Sequence, residues 1–416
     1  MAKIPITTSF RKRSALLNRP VLVWFLIMTC IMMIYPSRKP AQAGYFSDNF
    51  IDPSDGNFDV GPWLAEKKGL LPVPILITEP AIGYGGGLAV LYFHGKLGGK
   101  SAGDRFEATT DERGRISPPS ISGVFGGATE NDTWFYGGFH QGIWKNDRIR
   151  YIGALAETSL KLNFYGLDGG DGTLGNNPVE YTLDATFLLQ RIQFRILDSD
   201  VFVGGQYLFM DSGSKFDSSD EITGIPSPEF DIRSGGVGLS ISYDTRDNII
   251  TPNKGWFAQI TASDFGKTWG GDDDFNRYGG QVIFYHDIFP ELVLGLRGDG
   301  NMVSGDAPFY AYPFIQMRGI KAMRYQGEEI IQGQAELRWD VTSRWSLVGF
   351  GGVGTTFVSD DFSEDEGAGD GETVTAQGFG FRYFLARRFG LRVGADVAWS
   401  EEETAFYLTF GNAWMN

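Results

Sequence analysis

Residues Pro313 to Val358 read PFIQMRGIKAMRYQGEEIIQGQAELRWDVTSRWSLVGFGGVGTTFV, and the middle of that stretch decides the fold. Ile331, Ala335, Leu337, Trp339 and Val341 fall on one face, with Gly333 among them. Gln332, Gln334, Glu336, Arg338 and Asp340 fall on the other. Strand side chains alternate between faces, so this is a strand with one apolar and one charged side. A soluble sandwich rarely repeats so even a polar face. A membrane barrel requires it, with an apolar outside and a polar lumen.

The pattern recurs outward from that strand. Leu391, Val393, Ala395, Val397 and Trp399 oppose Arg392, Gly394 and Asp396, and Val237, Leu239, Ile241 and Tyr243 oppose Gly238, Ser240, Ser242 and Asp244. Fifteen strand-like runs can be placed between Ile82 and Trp414, the last with Phe406, Leu408, Phe410, Asn412 and Trp414 outward. Short links (Phe289–Glu291, Thr342–Arg344, Ala386–Arg388) alternate with long polar ones (Ser212–Asp231, Gly266–Asp274, Asp360–Glu372), as periplasmic turns alternate with external loops. Toward the amino end the alternation fails, because Gly95–Arg115 and Leu167–Pro178 cannot both be external. A missed strand, with Val73–Thr78 the candidate, would restore an even number. The expected fold is all-β: a transmembrane antiparallel β-barrel of sixteen strands over 72–416, fourteen being the alternative.

Bulk composition agrees. Glycine is abundant (57 of 416 residues), aromatics reach 14%, and apolar content is 42%. The slightly negative mean hydropathy is what a barrel with a wet lumen gives. Residues 1–43 hold seven basic and no acidic residues, leaving 29 basic against 51 acidic, a net of −22. So acidic a chain does not suit nucleic acid. The apolar run Val21–Tyr35, followed by Ala41-Gln42-Ala43, predicts a cleaved secretory signal over 1–43; an uncleaved anchor is the alternative, given Arg38 and Lys39. The one cysteine, Cys30, lies in that segment. Residues 44–71, acidic and turn-rich, are expected to be a short flexible periplasmic lead-in.

No enzymatic constellation is present. His94, His140 and His286 lack the spacing of metal ligands, Asp360–Glu372 lacks that of a calcium loop, and Gly83–Gly87 follows no βα unit. No catalytic residue, cofactor or metal is expected.

Arg318-Gly319-Ile320, followed by Gly333-Gln334-Ala335-Glu336-Leu337-Arg338-Trp339, resembles the bacterial surface antigen family, the barrel module of BamA- and TamA-type outer-membrane assembly proteins. Asp244-Thr245-Arg246-Asp247-Asn248 with Pro252 and Gly255 resembles the same family, so the likeness runs from about Ile232 to Trp414. It implies assembly, insertion or translocation of proteins or lipids at the bacterial outer membrane. The partners implied are outer-membrane lipids and unfolded outer-membrane or secreted protein, or lipid, clients of a monomeric barrel. A passive pore or structural surface protein is the rival reading. The resemblance also implies a lumen-loop latch of Arg318, Gly319 and Glu336, since a guanidinium in a loop dipping into the lumen pairs with wall carboxylates. Two departures stand out. Residues 44–71 are too short for one polypeptide-transport-associated domain, and Leu347–Gly352 lacks the family's second carboxylate.

Overall fold

Sixteen alternating stretches pair edge to edge, each with its neighbour in the chain, and curl into one antiparallel barrel. The computed structural model describes residues 49–66, 69–94, 120–166, 178–216, 229–358, 371–401 and 403–414. In order, the strands are β1 (Gly69–Ile77), β2 (Gly85–Phe93), β3 (Ile121–Thr129), β4 (Trp134–Trp144), β5 (Ile149–Phe164), β6 (Val179–Arg195), β7 (Val201–Phe216) and β8 (Glu229–Asp244). Then follow β9 (Gly255–Phe265), β10 (Phe275–Phe289), β11 (Leu292–Gly305), β12 (Glu329–Asp340), β13 (Trp345–Phe357), β14 (Thr373–Ala386), β15 (Leu391–Trp399) and β16 (Thr404–Phe410).

The extra strand is β1, which covers the Val73–Thr78 candidate as far as Ile77 and starts at Gly69. It makes the strand number even; the β2–β3 connection falls at the end that carries the short turns whether β1 is counted or not, so the alternation of short and long links does not extend to it. Residues 95–119 themselves lie outside those described, as do 1–48, 167–177, 217–228 and 359–370. The alternation on β12 is realised in register. Ile331 and Trp339 face outward, while Gln332 and Arg338 are buried inside. Leu239, Ile260 and Phe379 are likewise exposed on the outer wall, the distribution expected of a barrel whose exterior meets hydrocarbon.

Two boundaries differ from the sequence expectation. Strands β7 and β8 extend into the Ser212–Asp231 stretch expected as loop, because its polar residues find partners there: Lys215 meets Glu229 at 2.8 Å, and Ser212 Oγ donates to the Ile232 carbonyl at 2.8 Å. Conversely β16 stops at Phe410 rather than running to Trp414. Its partner β15 starts only at Leu391, and Gly411, with φ +74°, turns the chain away. The wall is therefore uneven, with 16 or 17 residues in each of β5–β8 but seven in β16. Among the described residues, no ladder joins β1 to β16.

The lead-in is not loose over its described part. Arg344, in the turn between β12 and β13, receives Asp52, Asp55 and Asp59, each at 2.6 Å. The guanidinium itself is almost fully buried. Asp59 also accepts the Gly61 amide at 2.6 Å, opening the short helix α1 (Gly61–Glu66); Val60 before the helix and Leu64 within it pack on Ala386 and Phe389. Three carboxylates 52–59 in sequence suggest a solvated loop. They become a clamp because one arginine offers five donors in a fork.

Burial alone would raise Asp52 and Asp55. Hydrogen bonds from Ser54 to Asp52 and from Arg344 and Asn57 to Asp55, together with the Arg344 charge, outweigh it and hold both below the ordinary carboxylate value. A lowered folded value means that the stabilisation is complete above the unfolded value, about 3.9, and is lost as pH falls through the lowered ones. The clamp should thus be intact at neutral pH and loosen only on acidification below about pH 4. Arg344→Ala should release it at pH 7, since stranding buried carboxylates costs roughly 3 kcal/mol. The readout is amide exchange at Val60, whose N–H bonds the Leu385 carbonyl at 2.9 Å. Unchanged exchange in that variant would show that apolar packing alone holds the segment.

Candidate functional site

The inner wall of β12 to β15 is built around space left by missing side chains. On β14 the run Gly378-Phe379-Gly380-Phe381-Arg382 puts both phenylalanines outside and the glycines and arginine inside. A Cβ at Gly378 would lie 2.3 Å from the Phe350 ring, and one at Gly380 would collide with the Asp396 carboxylate. The glycines therefore let Phe350 of β13 and Asp396 of β15 lie flat against the wall. Asp396 is fully buried, receives both terminal nitrogens of Arg382 and accepts from Thr409 Oγ1 at 3.3 Å.

The connection from β11 to β12, residues 306–328, folds into that space. Ile315, Met317, Ile320 and Tyr325 pack against Val374 and Ala376 of β14. The Gln316 amide donates to Gln332 Oε1 at 2.8 Å, and Gln334 Nε2 donates to the Gln316 carbonyl at 3.1 Å. Gln332 is itself fixed on Asp299, which Arg297 and Gln281 also hold.

At the tip, Arg318 forks. Nη2 meets Glu336 Oε2 and Nη1 meets Asp396 Oδ2, both at 2.6 Å, and the guanidinium lies 3.5 Å from the centre of the Phe350 ring. Two arginines, 318 and 382, thus face two carboxylates, 336 and 396, so the buried cluster carries no net charge. Gly319 follows with φ +95°. A side chain there would press on the Trp399 backbone nitrogen at 3.2 Å and Ala376 Cβ at 3.4 Å, and the Gly319 amide donates to the Tyr407 hydroxyl at 3.0 Å. Both the left-handed backbone and the close approach require glycine. Beyond it, the Ala322 amide donates to Glu79 Oε1 at 3.3 Å and Lys321 lies 3.6 Å from Glu403. The loop therefore touches the connections on both sides of the β1–β16 seam.

Of the three residues named from sequence, Arg318 and Glu336 pair directly, and Gly319 is the left-handed residue next to the arginine. The second carboxylate exists but comes from Asp396, 78 residues beyond the arginine, not from β13 as the family pattern suggests. Its place on the polar face of Leu391–Trp399 was visible in the alternation; its reach to the loop was not.

Two other expectations change. His94 and His140, read as isolated strand residues, are joined on the outer face through Ser122 Oγ, at 2.7 and 2.9 Å. They hold no metal cluster with acidic residues, among the described residues. Asn412 and Trp414, expected outward, follow Gly411 inside instead. The Trp414 ring is buried against Ile283, Tyr285, Val293 and Phe257 on the inner wall of β9 to β11.

An antiparallel sixteen-stranded barrel with an arginine-anchored loop in its lumen defines a class, that of outer-membrane-type barrels with an internal latch. Residues 229–401 match the family model described as the Omp85 superfamily domain. Among solved structures, the chain is similar to BamA from Haemophilus ducreyi lacking POTRA domains 1-3, at 10% identity and a TM-score of 0.55, over 94% of this chain and 78% of that one. It is also similar to CdiB from Escherichia coli (10% identity, TM-score 0.54, 83% of this chain and 62% of that one). CdiB from Acinetobacter baumannii is comparable (9%, 0.53, 82% and 59%). The chain thus spans less than two thirds of either CdiB structure, and at such identities the likeness is one of fold. No curated protein matches the chain in sequence.

Substitutions at the latch should rank by burial. Asp396→Asn strands two buried guanidinium groups and should cost about 3–5 kcal/mol. Glu336→Gln, at a partly wetted carboxylate with one arginine, should cost less. Arg318→Lys should resemble Arg318→Ala, because an ammonium cannot bridge two carboxylates and cover a ring at once. Temperature-dependent band shifts of the purified barrel on detergent gels measure this. Equal tolerance of Asp396→Asn and Glu336→Gln would show that the cluster is not organised around Asp396.

Proposed function

We propose that this chain is a bacterial outer-membrane barrel that assembles, inserts or translocates unfolded outer-membrane or secreted proteins, or lipids, and does so as a binding and transport scaffold rather than an enzyme. The observation that carries the reading is the Arg318 fork, which fixes a loop in the lumen of a barrel whose first and last strands share no ladder. A passive pore needs an open lumen. Here the lumen is occupied by the Pro313–Gln326 arm from one end and by Trp414 from the other, which favours controlled passage. An unzipped seam gives a second route, sideways toward lipid. Lipids of the outer membrane would cover the wall that exposes Leu239, Ile260 and Phe379.

Depletion followed by a census of outer-membrane proteins and lipids tests the activity; an unchanged census argues for the structural or pore reading. Residence and orientation are tested separately. The chain should fractionate with outer membranes and migrate faster unheated than boiled. Cys30 being the one cysteine, single introduced cysteines report topology. Thr268→Cys, between β9 and β10, should react with an impermeant thiol reagent on intact cells, and Ser343→Cys, between β12 and β13, should not. The reverse pattern would invert the barrel.

A further inference from the structure

The segment after β16 leaves the wall for a reason visible on the opposite edge of the seam. Leu408 N–H points across to Thr78 Oγ1 at 3.4 Å. Extending the two strands antiparallel from that contact puts Phe410 opposite Leu76, then Asn412 opposite Pro74 and Trp414 opposite Pro72. Alternate residues of a strand direct their N–H and C=O to opposite neighbours. The Ile75 carbonyl faces β2, lying 3.5 Å from the Cβ position of Gly86, so Pro72 and Pro74 face the seam. Proline has no N–H to give. A strand continuing to Trp414 would leave its carbonyls unanswered at the very positions where an apolar surrounding penalises that most. Gly411, in the left-handed conformation, takes the other way, its amide donating to the Arg392 carbonyl.

What receives the segment is a formed pocket. Trp414 is 4% exposed, in contact with Ile283, Tyr285, Val293 and Phe257. Its indole N–H donates to Gln334 Oε1 at 3.3 Å. Gly295 makes the room, since a Cβ there would stand 2.8 Å from the Trp414 ring. Beside it opens a cavity of about 460 Å³, which Phe257, Ile283 and Trp414 line together with Arg150, Gln193 and Ser242. The pocket thus offers an apolar slot, one acceptor for a ring N–H, and adjoining polar space for a backbone.

We propose that this pocket on the inner wall of β9 to β12 is a binding site for an aromatic side chain of an extended polypeptide client, and that Trp414 occupies it at rest as an internal competitor. The proposal rests on the reading of the barrel as one that handles polypeptide. Aromatic side chains combine large buried area with a polar handle, which is the combination the slot accommodates. Displacement of the segment would clear the lumen at the end where the short turns lie, so that arrival of a client and opening of the path become one event.

The test uses the purified full barrel in planar bilayers, with the synthetic tetrapeptide Gly-Asn-Ala-Trp as probe. Trp414→Ala should raise conductance, and the probe, added on the short-turn side, should return it toward the original level in a saturable way. Gly-Asn-Ala-Ala should not. Gly295→Val in the Trp414→Ala background should abolish the response. A second pair of substitutions acts at the seam rather than at the pocket: Pro72→Ala with Pro74→Ala restores the missing donors, and its effect is read by a cross-link within the pocket. A disulfide between Val293→Cys and Trp414→Cys should form readily in the parent and several-fold less in the proline-free barrel, because each seam hydrogen bond gained holds the segment in the wall. Unaltered conductance in Trp414→Ala, or equal effect of the two peptides, overturns the proposal. Should the pocket respond as described while depletion leaves the outer-membrane census unchanged, the site stands and the assembly reading falls.

Discussion

One guanidinium fixes the interior of this barrel. Arg318 meets two carboxylates from strands that are not neighbours, Glu336 on β12 and Asp396 on β15, at 2.6 Å each, so a loop enters the lumen and stays at a defined depth. Burying that many charges is costly, and pairing in the interior often only offsets the cost. The gain is therefore better described as position than as stability. The wall around it is shaped accordingly: Gly378 and Gly380 lack side chains where Phe350 and Asp396 must lie, and Gly319 has none where the loop passes Trp399. Filling any of these sites would move the arginine before it disturbed a ladder.

The same division between fixed wall and fastened insert holds at the short-turn end. Arg344 gathers Asp52, Asp55 and Asp59 beneath the β12–β13 turn, and the chain then runs on to β1, on the far side of the seam from β16. The clamp thus ties one lip of an unpaired seam to the wall behind the other lip. At the opposite end, Ala322 and Lys321 of the lumen loop reach Glu79 and Glu403, again one contact on each side. Side chains bridge the seam at both ends where backbone pairing is missing.

The wall was legible in the sequence because it depends on local rules. Period-2 alternation marked Ile331–Val341, Leu391–Trp399 and Val237–Asp244 with no knowledge of neighbours, and chain-order hairpins then leave little choice of topology. The latch was half legible: a loop arginine and a polar-face glutamate on the very next strand are close in sequence and could be paired on paper. Asp396 could not, since its selection depends on how far the loop descends. The lead-in and Trp414 were misread for the same reason. An acidic, turn-rich stretch looks solvated until an arginine 285 residues away is found to complete it, and an alternating tail looks like a strand until its opposite edge is seen to be proline.

The parts that could move are held by contacts of another kind from those that cannot. Every wall strand is fastened by a ladder along its length, which opens only as a unit. The lumen loop, the lead-in and the Gly411–Trp414 segment are each held by a few side-chain contacts: a fork, a clamp, one indole in a slot. Such contacts are cleared by a competitor that satisfies the same groups, without loss of wall pairing, and the energy needed is set by the difference between resident and competitor rather than by the whole contact. A carboxylate or guanidinium left behind would demand a charged replacement, whereas a vacated apolar slot demands only another aromatic ring. Of the three, the Gly411–Trp414 segment is therefore the one whose contacts an uncharged stretch of polypeptide can match.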